Sequence, residues 1–162
     1  GSMSQQIVLN QKVSFLPRAH GNKSNLVMQI RLWYSLRLVK FRGINADVVV
    51  LRGPVATGKT LLLQKLAMGS PVQSLQAPLM ERGRADLSDL VLDGDGPIAV
   101  DEVQGLSPVD LMKLVQLAKS QGRKLYLASQ NHHEVVLRCT AAFEVLKIAG
   151  RLLVCDVTRT KA

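Results

Sequence analysis

The residues best suited to chemistry lie in one short stretch, residues 53–60. Its sequence, Gly-Pro-Val-Ala-Thr-Gly-Lys-Thr, fits G-x-x-x-x-G-K-[ST], the pattern of a phosphate-binding loop or P-loop. Gly53 and Gly58 allow the tight backbone curvature that points several N–H groups at one small volume. Lys59 adds a cation for the terminal phosphates, and Thr60 adds a hydroxyl for Mg²⁺. The stretch therefore predicts a nucleotide-phosphate site.

The segments on either side of this loop are those that a P-loop needs. Residues 48–51 form a continuous apolar run, which is typical of a fully buried strand. Residues 61–68 predict a helix that Gly69 and Pro71 terminate. The start of such a helix presents unpaired N–H groups and the positive end of its dipole to an anion. We assign nucleotide binding to Gly53, Pro54, Val55, Ala56, Thr57, Gly58, Lys59, Thr60 and Leu61.

Two adjacent carboxylates form the second chemical group. Residues 97–100 predict a short apolar strand that delivers Asp101 and Glu102 at its end. In open α/β sheets ligands bind at the carboxyl ends of the strands. We therefore expect Asp101 to hold Mg²⁺ opposite Thr60, and Glu102 to orient and deprotonate the attacking water. The alternative is that both carboxylates open a solvated loop.

A third group follows the next predicted strand. Ser107 and Pro108 suit the N-cap and first position of a helix, and Gly122 suits its end. Residues 124–128 then predict a strand, apolar after Lys124, that is followed by Ser-Gln-Asn. If this strand lies between the P-loop strand and the Asp-Glu strand, Gln130 reaches the terminal phosphate or the attacking water. Otherwise Gln130 belongs to a polar turn.

The charge of the 162-residue chain is unevenly distributed. The net charge is +9, and seven of the excess cations lie in residues 1–46, which contain no acidic residue. This asymmetry predicts an anionic partner, with nucleic acid as the first candidate. The alternative is a solvated basic face. The seven cations are Lys12, Arg18, Lys23, Arg31, Arg37, Lys40 and Arg42.

Length and composition suggest one core preceded by an extension. We expect residues 1–46 to form a basic N-terminal extension packed on or beside the core, which spans residues 47–162. Residues 5–16 alternate loosely and predict one or two short strands. Residues 25–41 suit a helix, although residues 36–41 could form a strand. For this helix a core or subunit contact is favoured over docking to a neighbour or to a membrane surface.

Several simpler features complete the pattern. Residues 1–2 resemble the remnant of an expression tag. No apolar run reaches the length of a membrane span and no signal peptide is evident, so we expect no transmembrane segment and a cytoplasmic location. Cys139 and Cys155 form no C-x-x-C pair and suit buried free thiols. Residues 76–96 are polar and turn-rich, with one short helix predicted over 87–92, and suit a lid.

The order of these motifs resembles the RecA-like ATPases that carry an added catalytic glutamate. Residues 98–104 and 122–130 resemble the FtsK–HerA group in particular, which includes phage Zot-like ATPases and conjugative coupling proteins. The resemblance covers residues 47–131. It implies a three-layer α/β P-loop NTPase fold with a mostly parallel sheet. It further implies ATP and Mg²⁺, coupling to nucleic-acid transfer, and a homo-oligomer or partner protein.

Two alternatives remain open at this point. Residues 53–60 followed by Asp-Glu-Val-Gln at 101–104 are similar to bacterial and animal-type thymidine kinases, in which the glutamate is the base for the nucleoside hydroxyl. That family's zinc-binding cysteine pairs are missing here, and Gly105 replaces its usual aromatic residue. The other alternative is an ATP-binding accessory protein without turnover. For an arginine finger, Arg138 and Arg151 are the candidates.

Overall fold

The chain folds around a single six-stranded β-sheet. A computed structural model describes residues 6–17, 25–130 and 133–160. The strands are β1 (Gln6–Pro17), β2 (Val48–Gly53), β3 (Val72–Ser74), β4 (Ile98–Asp101), β5 (Leu125–Gln130) and β6 (Gly150–Thr160). The helices are α1 (Asn25–Arg42), α2 (Lys59–Leu66), α3 (Gln76–Arg82), α4 (Pro108–Ser120) and α5 (His133–Val145).

All neighbouring strands of the sheet are parallel. Their order is β1-β6-β2-β5-β4-β3. With helices on both faces, this architecture confirms the predicted three-layer α/β fold. Because the strands are parallel, the ends of β2, β4 and β5 meet at one edge of the sheet. β5 lies between β2 and β4, and Gly53 pairs with Gln130.

The two faces of the sheet bury separate apolar cores. Val48 and Val50 of β2 face the core that α4 and α5 cover. Val49 and Leu51 face the opposite core, which contains the buried residues of α1 and α2. Strands buried on both faces are apolar throughout rather than alternating, which explains the continuous apolar runs in the sequence.

The N-terminal segment contributes a strand to this sheet. β1 is an edge strand that pairs with β6 from Gln6, opposite Gly150, to Ser14, opposite Thr158. Val13 and Phe15 of β1 are buried. α1 packs against β1 and α2 as one continuous helix, so the alternative of a strand over residues 36–41 is wrong. The sequence also predicts a loop over residues 17–25, of which residues 18–24 lie outside the described residues.

The segment between β3 and β4 differs from the prediction. The helix predicted over residues 87–92 is only a 3₁₀ turn, Leu87–Asp89, because Asp86 and Asp89 cap each other and the chain is extended again at Leu90. The helix of this segment is α3 instead. Two residues indicate this helix in the sequence: Pro78 lies in its first turn, and Gly83, with a φ of 74°, lies at its end.

The sequence of residues 143–157 suits either a closing hairpin or a helix followed by a strand, with a basic tail over 158–162, and the structure has the helix and the strand. α5 ends at Val145 and β6 extends to Thr160, so residues 158–160 belong to the sheet and not to a tail. Among the described helices, none has the length and apolar character that crossing a membrane requires.

We expect both thiols to be unreactive in the folded protein. Cys139 belongs to the core under α5 and Cys155 to the core on the opposite face, and burial raises the pKa of each thiol to about 12. The thiolate is the reactive species. In mildly alkaline buffer, Ellman's reagent should label neither residue. In a urea series, labelling of both should follow the loss of helical circular dichroism.

The fully denatured protein provides the control, since it should release two equivalents of the chromophore. Rapid labelling of either cysteine in native buffer would contradict the burial of that thiol. Labelling of Cys155 at a lower urea concentration than Cys139 would show that the two faces unfold separately.

Candidate functional site

The P-loop connects β2 to α2 and packs closely against β1 and β6. Gly58 has a φ of 93°, in the left-handed region that favours glycine. A Cβ atom at Gly58 would lie 2.5 Å from Cζ of Phe15, and one at Gly53 would lie 2.1 Å from the carbonyl oxygen of Val157. Both glycines of the motif are therefore required by the packing of β1 and β6 as well as by the curvature of the loop.

The middle of the loop is held by hydrogen bonds. Thr57 Oγ1 donates to the carbonyl of Pro54 at 3.0 Å. Ala56 has a φ of 63°, which is strained for a non-glycine residue. Its carbonyl accepts a hydrogen bond from Arg159 Nε at 2.7 Å, and Arg159 Nη1 donates to the carbonyl of Pro17 at 3.0 Å. Arg159 thus joins the strained turn of the loop to β1 and β6.

The start of α2 is suited to an anion. Gly58 occupies the N-cap position, so no side chain accepts hydrogen bonds from the first turn. The amide of Leu62 bonds to the carbonyl of Gly58 at 3.0 Å. The three N–H groups before it have no intrahelical partner in an α-helix. These groups and the helix dipole favour a phosphate at this position.

Lys59 lies between the loop and the carboxylates. Its Nζ donates to the carbonyls of Gly53 at 2.6 Å and Pro54 at 2.7 Å. Burial lowers the pKa of Lys59, whereas the negative charges of Asp101 and Glu102 oppose this effect. The carboxylates therefore help to keep a cation at the floor of the site.

Thr60 and Asp101 form a hydrogen-bonded pair of oxygen-bearing side chains. Thr60 Oγ1 donates to Asp101 Oδ2 at 2.8 Å, and the amide of Glu102 donates to Asp101 Oδ1 at 2.9 Å. Within the described ranges, no group of three or more His, Cys, Asp or Glu side chains is placed to hold a metal ion. Mg²⁺ commonly uses one or two protein oxygens together with substrate phosphates. The hydroxyl and carboxylate fit this ligand set.

Glu102 lies beside Gln130, the residue predicted to reach the terminal phosphate or the attacking water. Gln130 Nε2 is 3.3 Å from Glu102 Oε1 and 3.4 Å from Oε2. The amide of Gln104 also donates to Oε2. Glu102 has a φ of 56°, and left-handed strain of this kind often occurs at functional sites. β5 lies between β2 and β4, which is the strand order on which the prediction for Gln130 depended. The end of β5 therefore places Gln130 beside Glu102.

These side chains line one cavity of about 370 Å³. Gly53 and Pro54 contribute backbone carbonyls beneath it rather than lining it. The sequence did not indicate Leu16, which β1 contributes to the cavity wall, nor Gln104 and Arg159. The residues that line it are Leu16, Val55, Ala56, Thr57, Gly58, Lys59, Thr60, Leu61, Asp101, Glu102 and Gln130.

Neither candidate for an arginine finger lines this cavity. Arg138 donates to the carbonyl of Leu106 and pairs with Glu134 on α5. Arg151 is near the start of β6, at the opposite edge of the sheet from the P-loop. His133 and Cys139 lack a metal-ligand spacing in the sequence, so a position on the surface or at a helix end is expected for His133. It is the first residue of α5, and its Nδ1 is 3.0 Å from Arg52 Nη1. Asn131 and His132 lie outside the described residues.

Comparison with known proteins assigns no family to this chain. No protein-family model matches it, and no curated protein sequence is similar enough to match. The protein is therefore described by its fold and by the residues that line the cavity. It is a parallel α/β protein with a P-loop between β2 and α2 and two carboxylates at the end of β4.

Replacing Gly58 by alanine should destabilise the protein through both strain and a clash. Left-handed φ costs about 1–2 kcal/mol for a residue with a Cβ. Overpacking against Phe15 adds about 1–3 kcal/mol. We therefore expect Gly58→Ala to lower the free energy of unfolding in urea by about 2–5 kcal/mol.

Gly122→Ala is the matched control. Gly122 has a φ of 64°, but a Cβ there would meet no atom within 4 Å. This variant should lose only the strain contribution of about 1–2 kcal/mol. Equal losses in the two variants would contradict the close contact of β1 with the P-loop.

Proposed function

We propose that this chain is a P-loop ATPase that binds ATP with Mg²⁺ and hydrolyses it. The observation that carries the proposal is the meeting of three groups at one edge of the sheet. These are Lys59 on the loop, the hydrogen-bonded pair of Thr60 and Asp101, and Glu102 beside Gln130. Phosphoryl transfer depends mainly on positioning and electrostatic stabilisation, which such a set supplies.

The loop and Lys59 would bind the phosphates. The N–H groups at the start of α2 would donate to phosphate oxygens. Lys59 Nζ would exchange the carbonyls of Gly53 and Pro54 for oxygens of the terminal phosphates, a stronger, charge-assisted interaction. Thr60 and Asp101 would hold Mg²⁺, which when bound neutralises developing charge on the phosphates.

Glu102 would act as the general base. Its carboxylate would accept a proton from water as the water oxygen bonds to the terminal phosphorus and the bond to the ADP oxygen breaks. Gln130 would orient Glu102 and the water through its amide. The hydrogen bonds from Gln130 and Gln104 support this role because they fix the carboxylate in the cavity.

We further propose that hydrolysis is coupled to a nucleic-acid process such as plasmid or phage DNA transfer, in the cytoplasm. The support is the cationic N-terminal segment. Lys12 on β1 and Arg31, Arg37 and Lys40 on α1 are exposed. Arg18 and Lys23 lie outside the described residues. A homo-oligomer or a partner protein remains part of this proposal.

One turnover assay tests the proposed function against its alternatives. The protein would be incubated with ATP alone, with ATP and DNA, and with ATP and thymidine. Phosphate release, phosphorylated thymidine and bound ATP would be measured in each case. Release that DNA stimulates supports the coupled ATPase. Phosphorylated thymidine would replace the proposal by a nucleoside kinase. Bound ATP with neither reaction would replace it by a non-catalytic accessory protein.

Glu102→Gln should separate binding from hydrolysis. The amide keeps the size of the side chain but cannot accept the proton, so phosphate release should fall by about 10²–10⁴-fold. ATP affinity by calorimetry should change little. Lys59→Ala provides the contrast, because removal of the cation should weaken ATP binding itself.

Gln130→Ala should slow phosphate release with little effect on ATP affinity.

Parental turnover in Glu102→Gln would show that Glu102 is not the base. Unchanged ATP affinity in a folded Lys59→Ala variant would contradict phosphate binding by the loop.

DNA binding should depend steeply on salt. Each neutralised phosphate contributes about −0.9 to the slope of log affinity against log salt on duplex DNA. If four or five N-terminal cations engage, affinity should fall by roughly 10²–10³-fold between about 50 and 200 mM salt. Fluorescence anisotropy with labelled duplex and single-stranded oligonucleotides measures this dependence.

Charge reversal is a better probe here than truncation. Removing the N-terminal segment would delete β1 and its buried residues Val13 and Phe15. Lys12→Glu should instead flatten the slope, whereas Lys113→Glu, on exposed α4 surface, is the matched control. No salt-sensitive retention on either form of DNA would contradict nucleic-acid coupling.

A further inference from the structure

The side of α1 that faces away from the core carries a row of large apolar side chains. Leu32, Ser35 and Val39 are buried towards the sheet. The opposite side exposes large apolar residues, among them Tyr34 at 65% and Phe41 at 76% of their surface. We call this surface the outer face of α1. Its residues are Leu26, Val27, Ile30, Trp33, Tyr34, Leu38 and Phe41, with Ile44 just beyond the helix.

The outer face is continuous along the helix. Val27, Ile30, Tyr34 and Phe41 follow one another at spacings of three, four and seven residues, which places them in one row. Eighteen residues of α-helix extend for about 27 Å. A row of exposed apolar side chains of this length is typical of a surface that binds a partner. The outer face therefore fits an extended apolar partner.

Cations border this row on both sides. At 100° per residue, Arg31 and Arg42 lie on one side of the row. On the other side Arg37 lies between the row and Trp33, and Lys40 lies beyond Trp33. α1 contains no acidic residue. The Arg37 guanidinium lies 4.8 Å from the centre of the Trp33 ring. The surface that covers α1 must therefore offer an apolar interior and a negative border.

Charge and shape favour one kind of partner. A second copy packed through the same face would bring eight cations together without an acidic residue on either α1. Nucleic acid would pair with the cations but would set aliphatic side chains such as Ile30 and Leu38 against phosphates. An anionic bilayer matches both properties, because long cationic side chains reach the headgroups while apolar residues enter the acyl boundary.

We propose that α1 binds the surface of an anionic membrane through its outer face. The helix lies in the plane of the interface, since its four cations oppose insertion across the bilayer. Trp33 and Tyr34 sit at headgroup level, where aromatic side chains are favoured. This inference goes beyond the proposed ATPase activity and does not depend on it. It competes with the proposed nucleic-acid coupling, because it assigns Arg31, Arg37 and Lys40 to lipid headgroups instead of to DNA.

The single tryptophan of the chain makes the test direct. Trp33 is the only Trp, it lies on α1, and it is 51% exposed. We expect its fluorescence to shift to shorter wavelength with vesicles of phosphatidylcholine and phosphatidylglycerol. The protein should also sediment with these vesicles. Pure phosphatidylcholine vesicles should produce neither effect.

Two variant pairs separate the apolar and charged contributions. Ile30→Ser with Phe41→Ser should abolish the shift, whereas Leu137→Ser, at an exposed apolar position on α5, should retain it. Arg37→Glu with Lys40→Glu should weaken vesicle binding by at least about 30-fold, from the contribution of each cation near an anionic surface. Lys113→Glu is its control. Circular dichroism confirms that each variant is folded.

Three outcomes would overturn the proposal. The first is the absence of sedimentation with anionic vesicles. The second is a shift of Trp33 fluorescence by single-stranded DNA that the serine pair removes, without any shift by lipid, because the outer face would then bind nucleic acid. The third is a dimer by light scattering that the serine pair dissociates, because a second copy would then cover the face.

Discussion

The parallel pairing of β5 between β2 and β4 is the constraint on which the rest of this structure depends. Parallel strands need long crossover connections, so helices cover both faces and the strands become apolar throughout. In β2, β4 and β5 charged residues and amides are then confined to the ends of the strands. The pairing of Gly53 with Gln130 sets the register, and it places the amide of Gln130 near the carboxylate of Glu102.

The outermost strand β1 and its neighbour β6 shape the other side of the site. β6 approaches Gly53, β1 places Phe15 against Gly58, and Leu16 enters the cavity wall. Arg159 then connects β6 to the strained turn at Ala56. The N-terminal segment thus contributes packing to the phosphate loop in addition to charge. A change in β1 is therefore a change in the loop.

Local patterns predicted the centre of the fold and much of the candidate site. The apolar runs of β2 and β4, the glycine loop and the cap of α4 at Ser107 are signals within a few residues. Leu16, Gln104 and Arg159 could not be predicted in this way. Arg159 meets the carbonyl of Pro17 across 142 positions of the chain, and no short pattern records such a contact.

The ambiguity of α1 has a physical cause of the same kind. A helix acquires a periodic signal when one side is apolar and the other polar. α1 carries apolar residues on both sides, so its periodic signal is weak and residues 36–41 suit a strand as well as a helix. The property that obscured the secondary structure is also the property that leaves Ile30, Tyr34 and Phe41 exposed on the folded protein.

The polar groups of the cavity are mostly paired with one another, and this pairing limits what binding can contribute. Lys59 is bonded to loop carbonyls, Thr60 to Asp101, and Glu102 to two amides. A ligand must exchange these bonds, and a neutral exchange yields little net free energy. Phosphate oxygens can repay it because their bonds to a cation and to N–H groups are charge-assisted. The site proposed here would therefore discriminate by charge, and a polyanionic ligand such as the proposed nucleotide would compete better for it than a neutral molecule of similar size.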